Sequence, residues 1–378
     1  MKIALIGQKG IPAVSGGIEK HVEEISIRMA EAGHNVFVYV RDNYTDKNLK
    51  KYKKIVLIHL PSIHTKHLDA ISHTFVSTIH ALFSDYDVIH YHGIGPSFLS
   101  WIIKFFKPSV SLVSTFHCQD YYHQKWGWFA CLFLKAGEYM TCIIPDKTIA
   151  VSKSLADLAK EKYGKRLTVI PNGADIKYAE ATNLISQWGL KDKKYILFVG
   201  RLIKHKGVHY LIEAFKQLED TSKLANNFKL VITGEGFHTD DYVKYLRTIS
   251  EKRENIIFTG KQSNEVLEQL FSHSYLFVQP SESEGLSIAL LEAMGYGICP
   301  LVSDIKENLE PVSDCGYSFK NKSVTDLRDK LAYLLNKPEE VERLGSCAVE
   351  RIRNEYSWDS IAEKTLNLYR EIILQKEK

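Results

Sequence analysis

The chain is 378 residues long, 45% hydrophobic and 25% charged, with a formal net charge of +4. That length is too great for one ordinary hydrophobic core and fits two domains of roughly 180 residues each. The composition is that of a globular protein, and so small a net charge gives no sign of a nucleic-acid partner.

Strand candidates begin at Lys2–Ile6, which runs into a glycine-rich loop from Gly7 to Glu19 and then a helix pattern, Ile18–Ala32, with Ile18, Val22, Ile25 and Met29 on one face. The loop is not G-x-G-x-x-G, and no acidic residue follows at a ribose-binding position, so it makes a weak dinucleotide fingerprint. The Gly16-Gly17 pair at the helix start still suits close backbone approach to a phosphate or sugar. Further strands are expected at Val36–Tyr39, Ile55–His59, Val88–Tyr91, Leu112–Phe116, Lys147–Val151 and Leu167–Ile170. Asp85-Tyr86-Asp87 has the spacing of a metal-holding D-x-D, but it precedes its strand and reads as a loop cap. His90, His92, His117 and His123 are zinc candidates, yet no carboxylate or thiol set completes a ligand pattern. His117 follows a strand, at its carboxyl end. With Asp120 and Tyr121 it offers typical partners for sugar hydroxyls; the plain alternative is a satisfied loop histidine.

After a polar, weakly periodic border, Ala174–Lys194, the alternation restarts. Strands are expected at Tyr195–Val199, Lys229–Thr233, Ile256–Thr259, Leu276–Gln279 and Cys299–Val302, and helices at Val208–Leu218, Asn264–His273 and Ser287–Met294. An amphipathic helix, Trp358–Leu374, closes the chain. Strand–helix alternation implies parallel sheets covered by helices on both faces. Ligands of such sheets bind beyond the carboxyl ends of the strands, so two doubly wound domains would put the site in the cleft between them.

Two segments of the second half carry the chemistry. In Gly200-Arg201-Leu202-Ile203-Lys204-His205-Lys206-Gly207, Arg201 and Lys206 flank a tight turn at a strand's carboxyl end. Fixed cations there suit the negative charge that develops on a departing diphosphate. In Pro280-Ser281-Glu282-Ser283-Glu284-Gly285-Leu286-Ser287, a helix starts near Ser287, and the backbone N–H groups of Leu286 and Ser287 would bind phosphate. Glu292 follows Glu284 by about 12 Å along a helical element, roughly the span from a sugar across a diphosphate to a ribose. Glu284 would meet the sugar, and Glu292 the ribose hydroxyls. A solvated basic loop and an acidic loop with an exposed helix glutamate are the plain alternatives.

Charge is unevenly spread. Residues 1–187 hold 22 Lys+Arg against 16 Asp+Glu, a net of +6, while residues 188–378 hold 27 against 29, a net of −2. A basic first half fits an anionic partner such as a phospholipid surface or a lipid diphosphate, or simply a solvated basic face. The start of the chain reads as a strand and not as a signal peptide. The six scattered cysteines read as reduced, buried thiols, and the longest apolar runs, Phe98–Phe106 and Trp128–Leu134, fall short of the ~20 residues that span a bilayer. All of this points to the cytoplasm.

Taken together, these motifs resemble those of retaining glycosyltransferases of family 4. The resemblance rests on Gly16-Gly17-Ile18-Glu19, Val169-Ile170-Pro171-Asn172-Gly173-Ala174-Asp175, Gly200-Arg201-Leu202 to Lys206-Gly207, Thr233-Gly234-Glu235-Gly236 and the E-x7-E element Glu284 to Glu292, in that order. Gln8-Lys9-Gly10-Ile11-Pro12 and the segment His117 to Trp126 are similar to a bacterial surface-polysaccharide subgroup. Cys118-Gln119-Asp120 departs from it, where related sequences often have Gly after the His.

The resemblance implies an α/β GT-B fold of two doubly wound Rossmann-like domains facing across a cleft. Residues 1–178 would form an acceptor-side domain, with a C-terminal helix, 358–378, packing back on it; residues 190–355 would bind the nucleotide sugar. It implies Arg201 and Lys206 on the diphosphate in place of a metal, Glu284 and His117 at the donor sugar, Glu292 at the ribose and the backbone near Gly260-Lys261 at the base. Gly16, Gly17, Gly234, Leu286 and Ser287 would line the donor, and Asp120 and Tyr121 the sugar or acceptor. It further implies transfer with retention from a nucleotide-diphosphate sugar, UDP favoured, with no cofactor and no metal. The acceptor would be a glycan or a polyprenyl-diphosphate-linked sugar in bacterial polysaccharide synthesis, with peripheral contact to the inner membrane face. A nucleotide-sugar 2-epimerase on the same fold and a non-catalytic nucleotide-sugar-binding module are the competing readings.

Overall fold

The computed structural model describes residues 1–65, 68–119, 121, 127–221, 228–236 and 239–377. The chain forms two compact units, Met1–Asn172 with Trp358–Lys378, and Gly173–Ser357.

In the first unit the strands are β1 (Lys2–Ile6), β2 (Asn35–Arg41), β3 (Lys51–Tyr52), β4 (Ile55–Leu60), β5 (Val88–His92), β6 (Ser111–Phe116), β7 (Lys147–Ala150) and β8 (Thr168–Val169). Between them lie α1 (Gly17–Glu31), α2 (Leu68–Leu82), the single turn α3 (Ile94–Ser97), α4 (Ser100–Phe106), α5 (Trp128–Ile143) and α6 (Lys153–Tyr163). They form one eight-stranded sheet in the order β3-β4-β2-β1-β5-β6-β7-β8. Every described pair is parallel except β3 on β4. Strand β1 reads Lys-Ile-Ala-Leu-Ile with all but its lysine buried, the near-continuous apolar run of a strand covered on both faces. Strand order reverses at β1, with β2 on one side and β5 on the other, and such a switch point is where open α/β sheets bind ligands.

The second unit repeats the plan with β9 (Tyr195–Val199), β10 (Lys229–Thr233), β11 (Ile256–Gly260), β12 (Leu276–Gln279), β13 (Cys299–Ser303) and β14 (Tyr317–Phe319). Its helices are α7 (Val208–Asp220), α8 (Asp240–Ile249), α9 (Asn264–Ser272), α10 (Ile288–Gly295), α11 (Lys306–Val312), α12 (Val324–Leu335) and α13 (Pro338–Glu355). Its parallel sheet runs β11-β10-β9-β12-β13-β14 and reverses at β9. Ile196, Phe198, Leu230, Ile232, Leu211 and Phe215 belong to its core cluster. The last helix, α14 (Trp358–Lys376), packs on α1 within the first unit. Tyr369 at its centre is fully buried, and Arg28 on α1 donates to Asp359 at 2.6 Å.

Two expectations are corrected here. The division between units falls after Asn172, not at 178. Residues 173–179 side with the second unit because their backbone is engaged there: Gly295 lies so close to the Asp175 carbonyl that a Cβ would clash, and Ala179 N–H donates to Ser272 Oγ at 2.8 Å. Second, Cys315 and Cys347 form a disulfide, with Cα atoms 5.2 Å apart. Cysteines 32 residues apart in sequence give no local motif. The apolar runs near 98–106 and 128–134 fold largely into α4 and α5, which leave aromatic side chains exposed.

Candidate functional site

In the second unit, three turns meet beyond the carboxyl ends of adjacent strands. Gly200 N–H donates to Thr233 C=O at 3.0 Å, Leu202 N–H to Glu235 C=O at 2.8 Å, and Gly234 N–H to Gly260 C=O at 2.9 Å. The approach is so close that a Cβ on Gly234 (φ 144°) would clash with the Gly200 carbonyl oxygen. A second close approach joins the turn after β9 to the loop after β12. Glu282 N–H donates to His205 C=O at 2.7 Å, and Gly207, at φ 70°, abuts the Pro280 carbonyl where any Cβ would clash.

This joint sets Lys206 against Glu284, with Nζ 2.5 Å from Oε1 and both side chains largely buried. Gln279 Nε2 donates to the same carboxylate oxygen at 2.5 Å. Burial pushes the Glu284 carboxyl up, but the Lys206 ammonium and hydrogen bonds from Lys206 and Ser281 outweigh it, so the pKa lies below the usual carboxylate range. Glu284 is therefore an ionised acceptor at neutral pH. Arg201 is exposed at the same turn and has no carboxylate partner among the described residues. Glu282 is tied elsewhere, accepting from Tyr210 OH at 2.9 Å and pairing with Lys322 at 2.9 Å.

In the first unit, four histidines meet beside the switch point. His92 ends β5, His117 follows β6, His90 lies two residues before His92, and His21 comes from α1. His92 Nδ1 lies 3.2 Å from His117 Nε2, and the rings of His21 and His117 stack edge-on at 4.9 Å. His21 bonds Asn172 at 2.9 Å, and His90 bonds Tyr369 OH at 2.6 Å and Thr115 Oγ1 at 2.7 Å. Burial is the main cause that holds all four neutral: it lowers His21 to about 4, against a partial pull back from Asn172, and sets His90, His92 and His117 well below 6.5. One ring nitrogen each of His21, His92 and His117 lie within 4.8 Å of one another.

Above this cluster the glycine-rich loop is tied down by α1. Lys9 N–H donates to Glu19 at 3.1 Å and Ala13 N–H to Glu23 at 3.2 Å, while the Tyr44 hydroxyl accepts from Val14 and Ser15 N–H at 2.8 and 2.9 Å. Gly16, at φ 104°, caps the helix where a Cβ would clash with the Glu19 carboxylate.

Comparison with known proteins gives this geometry a family. Residues 15–178 match the model of Glycosyltransferase Family 4, and residues 180–351 that of Glycosyl transferases group 1. The chain is a family 4 glycosyltransferase. It is 26% identical to an uncharacterized glycosyltransferase of Methanocaldococcus jannaschii, over 98% of both chains. It is 27% identical to the GDP-mannose:cellobiosyl-diphosphopolyprenol alpha-mannosyltransferase of Xanthomonas oryzae, over 76% of this chain and 74% of that one. Among solved structures, Anabaena HepE in complex with UDP-glucose aligns with a TM-score of 0.79 at 20% identity, covering 98% of this chain and all of that one. The fold is GT-B, two Rossmann-like α/β domains.

Within this glycosyltransferase, the expected site residues of the second unit fall into three groups. Lys206 and Glu284 come together at one joint, with the exposed Arg201 on the same turn as Lys206; Gly234 and Gly260-Lys261 lie on the adjoining turns, with Lys261 exposed. Ser287 caps α10, its Oγ accepting from Leu290 N–H at 3.4 Å, and both it and Leu286 are buried. Of the stretch from Glu284 to Glu292, only the part from Ile288 is helical, so a helical rise does not measure the separation of the two carboxylates. Glu292 is half-buried on α10.

In the other unit, His117 sits at the strand end as expected but is only 6% exposed and held by other imidazoles, which makes it a neutral hydrogen-bonding group and not an acid. The Tyr121 hydroxyl, expected at a sugar, donates instead to Glu138 at 2.9 Å. Asp120, His123 and Trp126 lie outside the described residues. Asp85 and Asp87 are both spent on Lys2, on its side chain and its backbone N–H, each at 2.7 Å, which is the loop-cap role. Sequence reading missed His21 and Gln279. His21 lies on a helix whose apolar stripe hid it, and Gln279 ends a strand, where only the fold reveals that it faces Glu284.

Gly207→Ala tests the joint. The strained φ and the clash with Pro280 should cost roughly 1–3 kcal/mol and withdraw Lys206 from Glu284. The expected result is a fall of at least about tenfold in kcat/KM, read by initial rates, with the fold retained by circular dichroism. Unchanged rates would show that the joint does not set the site.

Proposed function

We propose that this glycosyltransferase moves a hexose-type sugar from a UDP-sugar, with retention and without a metal, to a glycan or polyprenyl-diphosphate-linked acceptor in bacterial polysaccharide synthesis. The observation that carries the reading is the buried Lys206–Glu284 pair, whose lysine shares its turn with the exposed Arg201. On this reading Lys206 and Arg201 would meet the charge that a departing diphosphate gains, and the ionised Glu284 carboxylate would accept hydrogen bonds from sugar hydroxyls. The bond from the sugar C1 to the diphosphate oxygen breaks, the acceptor oxygen bonds C1 on the same face, and the acceptor proton passes to the departing phosphate. Glu292 accepts from the ribose hydroxyls. The UDP-glucose in the HepE structure and the lipid-linked acceptor in the name of the Xanthomonas relative support the donor and acceptor classes.

The test is a thermal-shift screen of UDP-, GDP- and dTDP-sugars, then mass analysis of donor–acceptor reactions and the anomeric configuration of the product by NMR. Stabilisation by GDP- or dTDP-sugars alone would reassign the base, and an inverted product would overturn retention.

Exhaustive EDTA treatment is expected to leave turnover unchanged, because Arg201 and Lys206 supply the charge. If EDTA abolished turnover and zinc restored it, the His21–His92–His117 group would be the first place to look for the ion.

A further inference from the structure

We infer that His21, His92 and His117 form a binding site for a zinc-class divalent cation, each ring giving one nitrogen. The fold delivers them to one point. Strands β5 and β6 pair in parallel with His92 opposite Thr115, so His117, two residues beyond Thr115, comes beside His92. Helix α1 lays His21 across that pair, its ring centroid 5.5 Å from that of His92 and 4.9 Å from that of His117. One nitrogen of each ring lies within 4.8 Å of the other two. His21, far away in sequence, is the third ligand that the histidines between 90 and 123 lacked.

The spacing suits ligands of one ion. His92 Nδ1 and His117 Nε2 are 3.2 Å apart; two nitrogens bound at about 2.0–2.1 Å to a tetrahedral zinc are separated by roughly 3.3–3.4 Å. His21 is oriented by a partner outside the group, its Nδ1 lying 2.9 Å from Asn172 Oδ1. A carbonyl oxygen only accepts, so the proton sits on Nδ1 and the Nε2 lone pair is left for an ion. Hydrogen bonding does not use up the cluster, since His92 Nε2 is buried with no partner among the described residues. His90 differs. Both its nitrogens are engaged, by Tyr369 and Thr115, which excludes it as a ligand although its ring centroid lies 4.1 Å from that of His92.

The ligand set selects the ion. The group contains no carboxylate and no thiolate. Burial keeps the three rings uncharged, so no proton has to leave at neutral pH. Imidazole suits zinc and its neighbours cobalt and nickel, whereas magnesium and calcium take oxygen ligands. A three-histidine site leaves the fourth position to water or hydroxide, and the small exposed part of His117 opens it to solvent. The ion takes no part in the transfer reaction proposed above, and either claim can fail without the other. Its effect is on stability, because it ties α1 to the ends of β5 and β6.

Cobalt is the spectroscopic probe. The full chain, stripped with EDTA and dialysed, should take up one equivalent of Co²⁺ with the visible ligand-field bands of tetrahedral nitrogen coordination, and Zn²⁺ should erase them. Zn²⁺ at about a hundred times its Kd should raise the thermal midpoint by about 5 °C or more, and Mg²⁺ should do neither. His21→Gln and His117→Gln should each lower cobalt affinity by about 100-fold or more. Asn172→Ala leaves all three ligands in place and should lower it by about tenfold; it decides the matter alone if the ligand variants fail to fold, unchanged affinity there overturning the site. Absence of the visible bands in wild type, or wild-type affinity in both folded ligand variants, would overturn it as well. So would a near-ultraviolet thiolate-to-cobalt band, which would put the ion on cysteines such as Cys315 and Cys347 released from their disulfide.

Discussion

Replacing Lys206 by alanine is expected to lower kcat by about 10²–10³-fold, the usual cost of deleting one preorganised group that stabilises developing negative charge. The same change also strands Glu284. Its carboxylate is largely buried, and without the ammonium 2.5 Å away only weaker partners such as Gln279 Nε2 remain. An unpaired buried charge of this kind costs about 3–5 kcal/mol, so the thermal midpoint should fall together with the rate. A second variant separates the two effects. In Lys206→Ala with Glu284→Gln the stranded charge is gone and the midpoint should recover, while kcat should stay below that of Glu284→Gln alone, because nothing replaces the cation at the leaving group. Near-normal turnover in the single variant would remove Lys206 from the chemistry. Turnover in the double variant equal to that of Glu284→Gln alone would reduce the role of Lys206 to holding the loop after β12 in shape.

The strands were legible because each is a short apolar run bounded by polar or glycine residues. Lys2–Ile6, Tyr195–Val199, Lys229–Thr233 and Leu276–Gln279 appear with the bounds their sequences suggest. The strands that sequence reading passed over, Lys51–Tyr52 and Tyr317–Phe319, are two- and three-residue edge strands whose pairing is set by a neighbour and not by their own pattern. The joint around Lys206 was legible for the same local reason: a cation and a glycine follow a strand, and a carboxylate follows another. What could not be read was partnership across sequence distance. Nothing in His21 or Asn172 announces that they bond each other 151 residues apart. Nothing in Tyr121 announces that its hydroxyl serves Glu138, a buried carboxylate on the inward face of α5. Cys315 and Cys347 show the same limit, since only the packing of α13 near the end of α11 brings them together.

The histidine cluster makes the second large prediction, one of acid lability. Unfolded histidines titrate near 6.5, whereas burial holds His21 at about 4 in the folded chain and His90, His92 and His117 well below 6.5. Between those values the unfolded chain binds more protons than the folded one. The stability contributed by neutral imidazoles is therefore complete above pH 6.5 and is lost as the pH falls through that window. For His21 alone the gap from 6.5 to about 4 corresponds to about 3 kcal/mol, and the three neighbours act in the same direction. Glu284, Asp146 and Asp69 have depressed carboxyl pKa values, so their losses come at lower pH and leave the window from pH 7.5 to 5.0 to the histidines. The thermal midpoint should drop steeply across that window. Limited proteolysis at pH 5.0 should cut first within residues 1–172, where the cluster lies. His21→Gln should lower the midpoint at pH 7.5, because it disturbs a packed core, and yet narrow the difference between the two pH values, because one of the protons is gone. A midpoint that stays level between pH 7.5 and 5.0, or a difference that His21→Gln leaves unaltered, would show that these rings are not what acid breaks.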